Sequence, residues 1–501
     1  MRILRRLARS EWPFAVALLL GAFIRALAEL GFRPALWYND GFEYLGVAAR
    51  WHAYVIRPNG YSAFLLALVP FHSFALVAAV QHLLGLATAV LLYSLLRRWR
   101  VHRTLAAIGM LPLLLDVREV QLEHIVLSDT LFTFLLVVGV VLLAWQQRVS
   151  PKFAALAGLA LALAALTRTV GVPMLALGAL FLIARWSGWR PIMIYTVVVL
   201  VPLGSYATWF HHEHGSYALN RADGVFLYSR VMQFADCAAI KPPKSLAVLC
   251  DPRPPAQRPP SQNYVWHTSP LDALGPGGES ALPEQRFIPA RNDAGLYFAI
   301  KAVEAQPGAY LRAGGHDFLR SFAWTRTPFP NAAEVAAYQF SNHPVQILPR
   351  VFVAGGTARQ DTSAYERSAA DTRLVQPFAA MVIAYQRFGV VPGPLLAALL
   401  VLGFAGLIGA RRHDGRRWQL LLLGVVSLAL LLVPPFTVEF DYRYAMPAVP
   451  FAATAAALAL AILVPRWSDA DPPAPRFGAG PEPETGPAIR HGAGGHPGRP
   501  G

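Results

Sequence analysis

The chain has 501 residues, 55% of them hydrophobic and only 15% charged, and 44 Lys and Arg against 29 Asp and Glu give a formal net charge of +15. So apolar a composition excludes an ordinary soluble domain, because the apolar residues come in blocks of the roughly 17 to 25 residues that a helix needs to cross a ~30 Å hydrocarbon core. The basic excess gathers in short Arg-rich loops between those blocks, which points to the inside charge bias of a membrane protein and to anionic lipid; no nucleic-acid module is visible and nucleic acid is not an expected partner.

In chain order, spans are predicted near 12–31, 72–96, 104–117, 125–145, 153–167, 170–184, 191–210, 390–410, 418–436 and 446–465. This is an all-α polytopic fold of about ten transmembrane helices, in which 104–117, 153–167 and 170–184 are short enough to tilt, borrow from their flanks or re-enter. Under that count MRILRRLARS, RRWRVHR (97–103), QQRVSPK (146–152), ARWSGWR (184–190) and ARRHDGRR (410–417) all fall on one side. That side is read as cytoplasmic, with both termini inside. Segments 32–71, 118–124, the 168 region, 211–389 and 437–445 then face outward. The first apolar run is long and lacks a small-residue cleavage site, so it is read as a retained helix of the plasma membrane protein, not a signal peptide.

Between the seventh and eighth spans lies an extracytoplasmic insert of mixed structure, 211–389, rich in Pro and turn signals. Cys237 and Cys250, the only cysteines, both lie in it, on the oxidising side, and are expected to pair; two free thiols are the alternative. Helical periodicity runs through 293–321 and again through 374–388, the latter expected to lie along the membrane surface. His211, His212 and His214 cluster at the end of the seventh span and read as solvated loop histidines. The organisation is therefore an N-terminal membrane module (1–210) with a catalytic first outer loop (32–71), the insert with its surface helix (211–389), C-terminal membrane helices (390–466) and a Pro/Gly-rich, disordered cytoplasmic tail (467–501).

The first outer loop carries the chemistry. It places Asp40, Glu43, Arg57 and Tyr61 where the phosphate of a membrane lipid would lie. Asp40 followed by Glu43 has the spacing of a capping box, which alone would explain both acids; the functional reading makes Asp40 a general base facing a cavity at the membrane surface. Burial beside apolar surface would raise its pKa and make it a better base. Arg57 sits in a Pro-Gly turn, either as a snorkelling loop residue or as part of the cavity wall.

Asp40-Gly41-Phe42-Glu43-Tyr44-Leu45, then Arg57-Pro58-Asn59-Gly60-Tyr61 and an apolar run, resembles the GT-C superfamily of polyprenyl-phosphate-sugar-dependent glycosyltransferases. The likeness is to the branch of the protein mannosyltransferases and the lipid A aminoarabinose transferase. Glu123-His124 through Ser128-Asp129-Thr130-Leu131-Phe132 resembles that branch's S-E-x-L-F signature, Thr167-Arg168-Thr169-Val170-Gly171 its T-R-P-T-G step, and Arg443-Tyr444-Ala445-Met446-Pro447 its R-Y-x-x-P step. There are departures: Asn39-Asp40 stands where relatives carry two adjacent acids, Ser128-Asp129 replaces S-E, Asn59 replaces the turn's second proline, and Thr169 follows Arg168. No cofactor is implied with certainty; a divalent metal is possible but lacks an acid pair to bridge it.

The resemblance implies a single inverting displacement. A sugar would pass from a polyprenyl-phosphate donor to a glycan, lipid or protein acceptor outside the cytoplasm. In that scheme Asp40 activates the acceptor, Arg168 and Arg443, with Tyr444 beside it, hold the donor phosphate, and Glu43, Arg57, Tyr61, Glu123, His124 and Asp129 contact substrate. For Arg168 and Arg443 the plain alternative is an interfacial anchor, and for Asp129 a helix cap. His124 has no second histidine at ligand spacing. A non-catalytic transporter or flippase of lipid-linked sugars, or an assembly protein without an active site, would use the same charges for binding alone.

Overall fold

The computed structural model describes residues 11–275, 281–325, 327–410 and 415–469. Helix α1 (Trp12–Gly31) leads through an extended segment to α2 (Asn39–Ala49) and α3 (Gly60–Leu68). There follow α4 (Phe74–Arg98), α5 (Arg103–Leu115), α6 (Val117–His124), α7 (Asp129–Ala144), α8 (Pro151–Thr167), α9 (Val172–Ala184) and α10 (Trp189–His214). The insert contributes α11 (Asp223–Val231), α12 (Pro289–Ala305), α13 (Pro307–Arg320) and α14 (Phe378–Tyr385), and α15 (Gly393–Gly409), α16 (Arg416–Thr437) and α17 (Val449–Leu463) close the chain.

Among the described residues, five helices have the length and apolarity to cross a membrane: α1, α4, α10, α16 and the stretch Tyr442–Leu463 ending in α17. Shorter apolar helices cover Gly60–Phe71, Arg103–Leu115, Asp129–Ala144, Pro151–Thr167, Thr169–Ala184 and Gly393–Gly409. The protein is a multi-pass, helical membrane protein, and every predicted span corresponds to a helix. Gly60–Phe71, which holds the apolar run after Tyr61, forms a further apolar helix. Among the described residues, the mixed character of the insert amounts to one pairing between Phe32–Arg33 (β1) and Arg373–Leu374 (β2), beside helices and their connections.

Small residues decide which helices meet at the centre. In α17 the run AATAAALALA is buried along nearly its whole length, and it packs on α15, α16, α5 and α4. A methyl group at Gly406 of α15 would lie 2.5 Å from Cβ of Ala459, so the glycine lets the two backbones approach closely. With lipid on one side and protein on the other, such contact, not hydrophobic burial alone, holds the helices together.

A second apolar cluster joins the end of α1, the first loop and α6 to Phe340, Phe352 and Tyr365 of the insert, and a third forms the insert's own core around Tyr228, Phe287 and Phe298. Cys237 and Cys250 are joined by a disulfide in that third region. The periodic stretch 293–321 is broken at Gln306-Pro307 into α12 and α13. Trp467 and Ser468, placed in the tail by sequence, are ordered: His102 N–H donates to the Trp467 carbonyl at 2.7 Å, and Val101 bridges Ser468. The tail from 470 onward lies outside the described residues.

Candidate active site

The first loop is folded against the membrane bundle by close backbone contacts. A Cβ at Gly41 would come within 2.5 Å of the Val126 carbonyl oxygen, and one at Gly60 within 2.5 Å of that of Leu166. Both positions need the space of a missing side chain, and the contacts set α2 against the segment before α7, and α3 against the end of α8.

That packing brings Asp40 to Arg57 and Arg443. Asp40 Oδ2 accepts from Arg443 Nη2 at 3.0 Å and lies 3.0 Å from Arg57 Nη1. Arg57 Nη2 reaches Glu43 Oε2 at 3.1 Å, and the Tyr54 hydroxyl donates to the same Glu43 oxygen at 3.1 Å. On the other side Arg443 Nε is 3.6 Å from Asp129 Oδ1, and Arg168 Nη1 is 2.6 Å from that oxygen. Glu43, Arg57, Asp40, Arg443, Asp129 and Arg168 thus form one chain of alternating charge assembled from four distant parts of the sequence.

Aromatic rings fill the gaps. The Arg443 guanidinium lies over Tyr38, Tyr338 and Tyr444 at 5.3, 5.6 and 5.2 Å, Arg168 over Tyr444 at 5.6 Å, and Arg57 over Tyr44 at 5.2 Å. Their negative faces stabilise buried guanidinium charge. The Tyr44 hydroxyl shares a hydrogen bond with Ser128 Oγ at 2.8 Å, and Tyr38 donates to Glu334 of the insert. Asp441 Oδ1 accepts from the backbone N–H of Arg443 at 2.9 Å, fixing the turn that presents the arginine.

The capping reading of the acids is displaced by this geometry. Helix α2 begins after Tyr38 with no side-chain cap, and Ser128 precedes α7 without capping it; Asp40 turns Oδ2, and Asp129 turns Oδ1, to arginines. Nor does Asp40 have a raised pKa. Burial acts to raise it, but the fields of Arg57 and Arg443 and the hydrogen bond from Arg443 outweigh burial and hold it well below the usual carboxylate range. Glu43 is the acid that burial wins: its pKa is pushed up to about 7, with Arg57 opposing.

The remaining residues fall elsewhere. Tyr61 is wholly buried, donates to Gln81 Oε1 at 2.7 Å and packs edge-on to Tyr44, so it supports the site without facing the charges. Glu123 and His124 lie in a separate buried cluster with Arg25, Glu29 and His82. A second histidine does approach His124: it is His82, brought in from α4. His214 is not a solvated loop residue, since it bonds the Ala53 carbonyl at 2.6 Å.

Beside Arg443 lies a cavity of about 310 Å3, lined by Arg118, Arg387 and Arg443, by Gln121, Gln339 and Gln386, and by apolar residues including Leu122, Val335, Val390 and Met446. Arg443 Nη1 is buried and has no hydrogen-bond acceptor among the described residues. Arg118, Arg387, Tyr38 and Tyr338 were not singled out from sequence. An arginine in the first turn of a helix, as in Val117-Arg118-Glu119, was the available signal, but nothing local tells which cavity it lines.

Fold and site define a polytopic membrane protein with an acid–arginine network at one face, and residues 61–221 match the family described as dolichyl-phosphate-mannose-protein mannosyltransferase. That is a family of the GT-C membrane glycosyltransferases, the class the motifs resemble. The matched stretch includes Asp129 and Arg168; Asp40 precedes it and Arg443 follows. Among solved structures, the chain is similar to the protein O-mannosyltransferase complex of S. cerevisiae bound to the sugar donor (17% identity, 44% of this chain and 36% of that one, TM-score 0.33). It is similar also to the oligosaccharyltransferase AglB of Archaeoglobus fulgidus in complex with an inhibitory peptide and a dolichol-phosphate (12%, 92% and 51%, TM-score 0.40). A third is ArnT of Cupriavidus metallidurans bound to undecaprenyl phosphate (16%, 90% and 77%, TM-score 0.32). The chain spans about a third of the length of the mannosyltransferase chain and half of the oligosaccharyltransferase. No curated protein matches.

Proposed function

We propose that the protein transfers a sugar from a polyprenyl-phosphate donor to an acceptor hydroxyl or amine on the extracytoplasmic side of the plasma membrane, with inversion at the anomeric carbon. The observation that carries this reading is the double position of Arg443, which binds Asp40 through Nη2 while lining a cavity that also holds Arg118 and Arg387 and is apolar on the side of Leu122, Val335, Val390 and Met446. A phosphate on the cavity side and an acceptor on the Asp40 side would be held across one guanidinium.

The chemistry follows from that placement. The donor phosphate accepts from Arg443 Nη1, with Arg168 and Tyr444 behind it, while the prenyl chain takes the apolar wall. As the phosphate arrives it shares the charge of Arg443, which loosens the hold on Asp40 and raises its basicity. Asp40 removes the acceptor proton as the acceptor–carbon bond forms and the carbon–oxygen bond to phosphate breaks; polyprenyl phosphate leaves, and the arginines stabilise the charge that develops on it. Glu43 and Arg57 hold Asp40 in place, and Asp129 holds Arg168 and Arg443. The site then joins Asp40, Glu43, Arg57, Asp129 and Arg168 of the N-terminal module 1–210 to Arg443 of the C-terminal helices, the insert 211–389 selects the acceptor, and both termini face the cytoplasm.

Purified protein in lipid, supplied with polyprenyl-phosphate sugars and candidate acceptors, tests this directly. Transfer that disappears in Asp40→Asn while the variant still binds polyprenyl phosphate supports it; transport of the lipid-linked sugar without transfer in the wild type would replace it by a carrier function.

A further inference from the structure

The cluster formed by Glu29, His82 and His124 lies outside the charge network, and its hydrogen bonds leave two lone pairs facing each other. His124 Nε2 is 2.7 Å from the Phe32 carbonyl oxygen, which only accepts, so this nitrogen carries the hydrogen and Nδ1 presents a lone pair. His82 Nδ1 is 2.9 Å from Glu123 Oε2, and Glu123 is paired through its other oxygen with Arg25 Nη2 at 2.6 Å. The carboxylate therefore takes the His82 Nδ1 hydrogen, and His82 Nε2 presents its lone pair too. These two ring nitrogens are 3.1 Å apart. Glu29 Oε2, a buried oxygen with no hydrogen-bond partner among the described residues, lies 3.9 Å from one and 3.6 Å from the other.

We infer that Glu29, His82 and His124 form a binding site for a divalent transition-metal ion of the zinc type, whose role is to clamp α1, α4 and α6 together. Donors at the corners of a tetrahedron with metal bonds of about 2.1 Å stand roughly 3.4 Å apart, and the three separations here bracket that value. Each histidine has its far nitrogen oriented by a carboxylate or a backbone carbonyl, the outer shell that metal-bound imidazoles use. Two imidazoles and one carboxylate suit zinc and its neighbours in the first transition row and do not suit magnesium or calcium. Room for the outer shell is built in: a Cβ at Gly85, one helical turn beyond His82, would overlap Glu123 Oε1 at 1.8 Å.

The location gives the ion a purpose. Beyond Glu29 the chain runs to Leu36, whose N–H donates to the His124 carbonyl at 3.0 Å and whose carbonyl accepts from Val126 N–H at 3.1 Å. Asp40 and Asp129 each follow four residues after the bridged pair Leu36 and Ile125 (36 to 40, 125 to 129). An ion held by Glu29 and His124 ties together the two strands of chain that deliver those acids.

Metal analysis of the full-length protein, purified in detergent without chelator or histidine tag from cells supplied with zinc, tests this. The expected result is about one zinc per chain, a melting temperature that falls on chelation and recovers with zinc, and tetrahedral visible absorption when Co2+ replaces zinc. Glu29→Gln changes only a partly exposed ligand and should weaken zinc binding by at least about 10-fold while the apo-protein melts as wild-type apo-protein does. His82→Asn should abolish binding. Zinc at the level of the buffer blank, with a melting temperature indifferent to zinc and chelator, would overturn the site and leave a proton shared between the histidines. Full zinc retention in both variants would overturn it equally.

Discussion

Arg443 donates to Asp40 at 3.0 Å across 403 positions of sequence. The contact joins a turn before the last membrane helix to the first helix of the first loop, and it is the link through which one guanidinium touches both an acid and the cavity beside it. Most of what the protein is proposed to do depends on that pair.

Asp40→Asn keeps the shape of the side chain and removes its charge. Transfer should fall by about 10²- to 10⁴-fold, the range for loss of a general base, while polyprenyl-phosphate binding persists or tightens because Arg443 is released from its counter-ion. Initial rates in lipid, with binding measured separately, distinguish the two; wild-type turnover in the variant would remove Asp40 from the mechanism.

Arg443→Lys retains charge but loses the planar fork that serves Asp40 and Asp129 together. Affinity for polyprenyl phosphate should drop about 10-fold or more, and Arg443→Ala, which leaves Asp40 to Arg57 and Asp129 to Arg168 alone, should also destabilise the fold by about 1.5–3 kcal/mol, the scale for a lost hydrogen bond to a charged group. Titration with undecaprenyl phosphate and thermal unfolding in one detergent would separate the effects. Unchanged lipid affinity in the lysine variant would exclude Arg443 as a phosphate ligand.

Glu43 gives the site a pH dependence near neutrality, since burial pushes its pKa up to about 7. Below that value Glu43 is neutral and Arg57 acts on Asp40 alone, which makes Asp40 a weaker base; above it the Glu43 carboxylate shares Arg57 and Asp40 regains basicity. Transfer should therefore rise with pH through 7, and Glu43→Gln should flatten that rise. A profile identical in the two proteins would assign the pH dependence to another group.

Paired serine substitutions of Cys237 and Cys250 should lower stability by up to about 3 kcal/mol, the scale for a short closed loop, with activity at low temperature little changed. Resistance of the thiols to alkylation before reduction reports the bond in membranes. Labelling from outside at an introduced cysteine in the insert, but not at one introduced at Arg148, would support the proposed orientation, and the opposite pattern would invert it.

Much of this was legible in the chain. Apolar blocks at 12–31, 191–210 and 418–436 are helices because a backbone leaving water must satisfy its own hydrogen bonds, a requirement that needs no partner to state. Asp40, Arg57, Asp129, Arg168 and Arg443 stood out because charge beside lipid is expensive unless it is used. What local patterning also suggested, capping by Asp40 and Asp129, failed for one cause: both acids meet arginines that arrive from elsewhere.

The sequence alone determined a helical membrane protein and its charged residues near helix ends, since hydropathy and spacing are properties of neighbouring positions. Only the tertiary structure decided which charges meet. It separated Glu123 and His124 from Asp129, although few residues lie between them, set His82 and Glu29 against His124, and brought Tyr38, Tyr338, Arg118 and Arg387 around Arg443. The reason is physical: at a helix end the chain turns, and residues adjacent in sequence face different cavities according to how close the neighbouring backbones come, as glycines such as Gly41, Gly60 and Gly85 allow.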